Sequence, residues 1–222
     1  MRPLLRLYED HIEADARPIH LPGQDRAIYI RSGSLELASE TVTQYLTAGL
    51  ATTGGDQLTL SAVEDTVLWR WELTAAGRDD ALRSAPQATS ELRLEAEIDL
   101  DDRYRWLMRC DTVSFPPGGV AWTHVHQGPG IRIVREGEIA IEIDGHRAVH
   151  RPGDAWLERG VDPVLAPTTE DEATTFVRCF ILPEQCRGQS SLRIVSAQDR
   201  AKGNTQSYRV LSERLVHAGG LD

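Results

Sequence analysis

Two histidines set two positions apart give the sequence its clearest chemical signal. They are His124 and His126, in the run Trp122-Thr123-His124-Val125-His126-Gln127. On a strand, alternate side chains share a face, so both imidazoles would aim at one point. Imidazole is the commonest nitrogen ligand for first-row metals. Two histidines make half a site, because such a metal usually takes a third or fourth protein ligand. The competing reading is an exposed or hydrogen-bonded pair. The candidate third ligand is Glu158, which shares a strand face with Trp156 in the stretch after Gly153-Asp154. If that face looks inward, the set becomes two histidines and one carboxylate. Otherwise Glu158 is a strand-end surface carboxylate, and Asp162 is a weaker substitute. His146 and His150 lie in and beyond a hairpin turn at Asp144-Gly145 and read as solvent-facing.

Arg132 is the second feature with chemical content. Its parity directs it inward, and a buried guanidinium must be paired, since desolvation costs several kcal/mol. Either it forms an ion pair with Glu158, or it binds the carboxylate or phosphate of a ligand, which suits its forked donors. Trp122 and Trp156 are candidates to wall the same cavity, although aromatic strand residues are more often plain core.

These residues must be positioned by strands. Short stretches rich in Ile, Val, Trp, Phe and Tyr alternate with period two and end at Gly, Pro or Asp. They include residues 26–37, 66–73, 104–110, 130–143 and 175–182. That spacing predicts an all-β sandwich or barrel. The chain also repeats. With Gly33 placed on Gly137, residues 27–33 fall on 131–137, His20 on His124 and Pro22 on His126. Residues 75–91, rich in Ala, Ser, Gln and charge, read as a linker. Ser191–Val195 reads as one more strand. Val210, Leu211, Leu215 and Val216 at helical spacing, stopped by Gly219-Gly220, predict a C-terminal helix.

Composition excludes other classes. The formal charge of −10 opposes nucleic acid and anionic membrane as partners. No apolar run approaches eighteen residues, and the amino terminus lacks the long apolar stretch of a secretion signal. Three cysteines without C-x-x-C spacing fit a reducing, cytoplasmic setting. No G-x-S-x-G elbow or phosphate-binding glycine loop occurs.

Around the histidine pair the sequence resembles the cupin superfamily. Its first motif runs Gly, five residues, H-x-H, three or four residues, Glu, six residues, Gly. Gly118, His124, His126 and Gly137 fit it, and the second motif begins at Gly153-Asp154. The resemblance implies an all-β protein of two tandem jelly-roll barrels, a bicupin, with a short C-terminal helical tail. It divides the chain into a degenerate, metal-free barrel over residues 1–90, a barrel with the candidate site over 91–185, and a tail over 186–222. Two family ligands are missing, because Gly130 stands at the motif's Glu and Pro163 or Val164 at its second-motif His. The implied cofactor is a divalent transition metal, iron, manganese, nickel or zinc, on His124, His126 and Glu158. Arg132, Trp156 and Trp122 would bind the substrate. Dioxygenase-type chemistry on a small anionic organic molecule leads. A non-catalytic ligand-binding bicupin and a sugar or keto-acid isomerase or lyase are the alternatives. Association through the barrel sheets implies a homodimer.

Overall fold

The computed structural model describes residues 3–75, 82, 86–101 and 103–217. Most of the expected linker, with Gly219-Gly220, lies outside them. The described chain forms two double-sheet barrels in tandem, each built from antiparallel strands. In the first half, a five-stranded sheet runs Ala51–Gly54, Arg26–Ser32, Thr66–Thr74, Leu4–Ile12, Ala88–Glu97. It is faced by Ile19–Leu21, Leu58–Ala62, Ser34–Ala38 and Thr43–Thr47. The second half repeats this order, with one added strand, Arg193–Ile194, at the edge of its facing sheet. Its five-stranded sheet runs Ala155–Glu158, Gly130–Glu136, Thr174–Pro183, Arg105–Phe115, Ser207–His217. Its facing sheet runs Arg193–Ile194, Val120–Val125, Val164–Pro167, Ile139–Ile143, His146–His150.

The Gly33 and Gly137 match has a physical cause in both halves. Each glycine has positive φ, 81° and 77°, where a side chain is strained. A Cβ on Gly33 would lie 2.4 Å from the Asp65 carbonyl oxygen, and one on Gly137 would lie 2.5 Å from that of Ala173. In each half the next threonine closes the turn. Thr66 Oγ1 donates to the Ser34 carbonyl and accepts from the Ser34 amide. Thr174 Oγ1 does the same with Glu138.

The five-stranded sheets of the two halves pack face to face. Leu5, Leu7, Trp69 and Trp71 from one meet Met108, Cys110, Ile133 and Cys179 from the other in a single fully buried layer. The Trp71 indole donates to the Ile131 carbonyl at 3.2 Å. Burial on both faces explains why Thr66–Thr74 and Thr174–Pro183 are covered almost end to end, so alternation fades there. Each buried aliphatic or aromatic side chain contributes roughly 1.5–3 kcal/mol. Cys110 and Cys179 sit in this layer, and burial pushes both thiols up, leaving them inert.

The tail corrects one expectation. Ser207–His217 is a strand, not a helix, and it pairs with Arg105–Phe115. An unpaired edge backbone offers a ladder of hydrogen bonds that outweighs a short apolar stripe at helical spacing. The tail's helix is the short Ala197–Arg200, capped by Ser196 Oγ accepting from the Asp199 amide at 2.9 Å. Residues 193–194 form the expected extra strand.

Candidate metal centre

The histidine strand is not regular. Val120–Val125 changes register against Val164–Pro167 between Ala121 and His124. This irregularity breaks the alternation, so Ala121 and His124 both line the cavity of the second barrel. Trp122 does not join them. Its indole donates to the Gly203 carbonyl at 3.1 Å, and the Lys202 ammonium sits 4.0 Å from its ring. The expected cavity role of Trp122 therefore fails on this local irregularity. His126 lies just past the strand, with its amide donating to the Gly160 carbonyl at 2.7 Å.

His124, His126 and Glu158 are brought together. One ligand atom from each lies within 4.8 Å of the others, and all three residues are buried. Both imidazoles are oriented from behind: His124 Nδ1 is 2.8 Å from the Trp122 carbonyl, and His126 Nδ1 is 3.1 Å from Ser191 Oγ. That leaves the Nε2 atoms toward the cluster, with His126 Nε2 3.9 Å from Glu158 Oε2. A partner on the far ring nitrogen fixes tautomer and angle, as metal-ligating histidines require. Burial lowers the pKa of His124, and it lowers that of His126 further, aided there by Arg178 and Arg132. Both rings are therefore neutral at neutral pH, the form that ligates.

Glu158 stands directly opposite Gly130 in the ladder between Ala155–Glu158 and Gly130–Glu136. The carboxylate missing from position 130 is thus supplied by the neighbouring strand. Position 130 admits no side chain, because a Cβ would lie 2.6 Å from the Cys179 carbonyl oxygen and 2.7 Å from the Phe180 ring. Val164, at the other lost ligand position, is buried core paired with His124. Arg132 is completely buried and donates to Glu158 Oε2 at 2.8 Å. Of the two roles open to it, it takes the ion pair and does not line the cavity, because a guanidinium so deep needs a carboxylate. Trp156 does line the cavity, and its indole donates to Glu158 Oε1 at 2.9 Å. Burial raises the Glu158 pKa, but Arg132, His124, the Trp156 hydrogen bond and Arg178 outweigh it and hold the carboxyl below its ordinary value. Asp162 is turned to Arg159 in a surface ion pair at 2.7 Å.

The donor set therefore fits a divalent transition metal: two neutral imidazoles and one ionised carboxylate, buried, with both rings held from the rear. The cluster opens on a cavity of about 300 Å³ with walls such as Val113, Phe115, Ile141 and Phe176. Arg178 also lines it, bound to the fully buried Asp111 at 2.5 Å. The sequence reading missed both residues, and it missed Ser191. The available signal was an arginine inside the otherwise apolar run Thr-Phe-Val-Arg-Cys-Phe-Ile-Leu.

Residues 111–163, which include the three candidate ligands, match the family model described as a cupin domain. That segment is similar to a cupin domain. Solved structures alike in fold include oxalate decarboxylase of Bacillus subtilis, a deletion mutant. Its TM-score is 0.59, with 10% identity over 80% of this chain and 69% of that one. A cupin 2 conserved barrel domain protein of Leptotrichia buccalis gives 0.50, with 16% identity over 81% and 84%. Procruciferin, an 11S globulin of Brassica napus, gives 0.58, with 7% identity over 85% and 77%. A further oxalate decarboxylase structure from B. subtilis (TM-score 0.59, 11% identity, 81% and 70%) served to assign the EPR parameters of that enzyme's Mn(II) centres. A search of curated protein sequences finds no match. Among the described residues, no helix is long and apolar enough to cross a membrane.

Proposed function

We propose that the protein is a bicupin whose second barrel holds a divalent transition metal on His124, His126 and Glu158 and acts on a small anionic organic molecule. The observation that carries this reading is the convergence of three buried ligand atoms within 4.8 Å. Its first barrel runs through Glu97, because Ala88–Glu97 completes that barrel's sheet across the expected boundary at 90/91; the second begins with Arg105–Phe115, and the 186–222 tail is tied to it by Ser207–His217. The first barrel binds no metal, a homodimer is the working assembly, and the setting is cytoplasmic.

When bound, the metal would supply Lewis-acid or redox chemistry at the coordination positions that three protein ligands leave open. The chain's own residues prepare that position. Trp122 and Ser191 orient the rings through Nδ1, and Arg132 and Trp156 keep Glu158 ionised and fixed. The apolar wall keeps water out and strengthens electrostatic interactions inside. The arginine–carboxylate pairs Arg132–Glu158 and Arg178–Asp111 are each neutral, so a divalent cation would leave a local excess of positive charge, which favours an anion. A two-histidine, one-carboxylate set supports dioxygenase-type chemistry above isomerase or lyase chemistry. The manganese named for oxalate decarboxylase supports a redox-capable metal of the iron and manganese kind.

A second reading, a non-catalytic ligand-binding bicupin, is favoured by one contact. Arg132 already engages the carboxylate that would ligate, which weakens its hold on a cation. Elemental analysis of protein purified without added metal separates the two. About one equivalent of a transition metal is expected, lost in the His124→Ala/His126→Ala variant. Less than about a tenth of an equivalent, or full occupancy in that variant, would overturn the metal centre. A light-scattering mass near the monomer's 24.7 kDa would overturn the dimer.

A further inference from the structure

The cavity beside the candidate ligands has one cationic wall that metal ligation does not use. Arg178 projects from Thr174–Pro183, with its side chain 9% exposed. Its Nε and Nη2 donate to Asp111 at 2.5 and 3.3 Å. Its guanidinium lies 4.4 Å over the Phe180 ring, whose centre is in turn 4.8 Å from the His126 ring. One edge and one face are thereby fixed. Among the described residues Nη1 has no protein acceptor, and the residue lines the cavity. A guanidinium has five N–H donors in a rigid fork, which suits a carboxylate. A guanidinium edge not engaged by protein at the cavity offers charge-assisted hydrogen bonds, so the arrangement favours an anionic occupant.

The rest of the enclosure limits what that anion is. Phe115, Ile139, Ile141, Trp156 and Phe176 form apolar wall. The volume of about 300 Å³ falls at the small end of ligand pockets, roughly 300–1,000 Å³. At the cavity, Gln206 Oε1 is a buried acceptor without a partner among the described residues. Polar groups of an occupant would find partners only on the side of Ser190, Asn204 and Gln206, whereas the wall opposite takes an apolar body.

We infer that Arg178 anchors the carboxylate of a small acid whose apolar body fills the cavity. This deepens the reading of the cavity as the substrate site. Asp111 is a positioning residue, holding the fork so that Nη1 faces inward. Arg132 takes no part, being consumed by Glu158.

The test uses isothermal calorimetry on full-length protein stripped of metal by a chelator and dialysed. The probes are 3-phenylpropanoate, its uncharged primary amide, and acetate. The acid should bind, with the amide and acetate each at least about tenfold weaker, as loss of a charged anchor or of the apolar body requires. In Arg178→Met/Asp111→Asn, which removes both members of the buried pair, the acid should fall to the level of the amide. If that variant does not fold by circular dichroism, Arg178→Lys gives the same reading, because it keeps a charge for Asp111 but has no second edge. Equal binding of acid and amide, no binding of the acid at millimolar concentration, or unchanged acid affinity in a folded variant would overturn the inference. Metal content is measured separately by elemental analysis. Acid binding by a protein that purifies without metal would defeat the metal centre and leave Arg178 standing, whereas a protein that purifies metal-loaded but, once stripped, is indifferent to the acid would do the reverse.

Discussion

The two halves share one strand order and reach opposite solutions at the mouth of the barrel. In the first, Arg26 faces Gly54 across the ladder; in the second, Gly130 faces Glu158 across the equivalent ladder. The charged side chain and the glycine have exchanged strands. In the first half the guanidinium turns onto the barrel's own groups, donating to Glu72 at 2.9 Å, to the Asp56 carbonyl at 3.0 Å and to the Pro22 carbonyl. Pro22 stands where the second half has His126, and His20, the match of His124, is exposed. Aliphatic side chains such as Ile19, Ile28, Leu35 and Leu60 fill the barrel behind them. The second half keeps a cavity, two inward imidazoles and a carboxylate. One topology thus gives a self-satisfied plug and a receptive site, and the difference rests on which of two facing positions carries the long side chain.

The largest break in this comparison comes from removing the plug. Arg26→Met leaves Glu72 buried with Arg70 alone. It should cost about 3 kcal/mol in urea denaturation, with the metal content of the purified protein unchanged. A metal-content change would show that the first barrel does participate. Next comes Gly130→Ala, whose Cβ meets the Cys179 backbone and the Phe180 ring. About 2 kcal/mol of lost stability is expected, and a stability equal to wild type would mean that the close approach is easily relaxed.

Acidification should also separate the halves. In the metal-free protein, His124 and His126 have pKa values lowered by burial. Between the ordinary histidine value of about 6.5 and those lower values, the unfolded chain binds protons that the folded chain refuses. Their stabilising effect is therefore complete above about pH 6.5 and declines as pH falls below it, by up to about 1.4 kcal/mol per pH unit for each histidine. The melting temperature of chelated protein should drop from pH 7 to 5.5, and His124→Gln/His126→Gln should flatten that slope. A profile that is already flat in wild type would rule the histidines out as its cause. Ser191→Ala removes the group behind His126 and should weaken metal binding about tenfold in a competitive chelator titration. The smallest effect is expected at Gly54→Ala, where an added Cβ meets nothing within 4 Å. Its stability should stay within about 0.5 kcal/mol of wild type, in contrast to Gly130→Ala.

Much of the site was legible before the fold was seen. The H-x-H spacing pointed to the histidine pair, and Glu158 joins it on the condition that the face it shares with Trp156 looks inward, which is how the two strands place it. What was not legible depends on partners distant in sequence. Regular alternation would put Trp122 on the face of His124, and a local irregularity breaks it. Arg178 is hidden because its strand is covered on both faces and shows no period. Asp111 acquires its role only through Arg178, 67 residues away. Ser207–His217 shows an apolar spacing that suits a helix, and only the open edge of Arg105–Phe115 makes it a strand.

By itself the sequence determined the local features: an all-β chain, a repeat marked by two matching glycines, and two histidines set two positions apart. These follow from sterics and short periodicities, which a window of a few residues contains. The tertiary structure alone decided that Glu158 stands across from Gly130, that Arg132 is committed to it, and that Arg178 keeps an edge toward the cavity. Those outcomes depend on strand register and sheet packing, which join residues too far apart for any local pattern to encode.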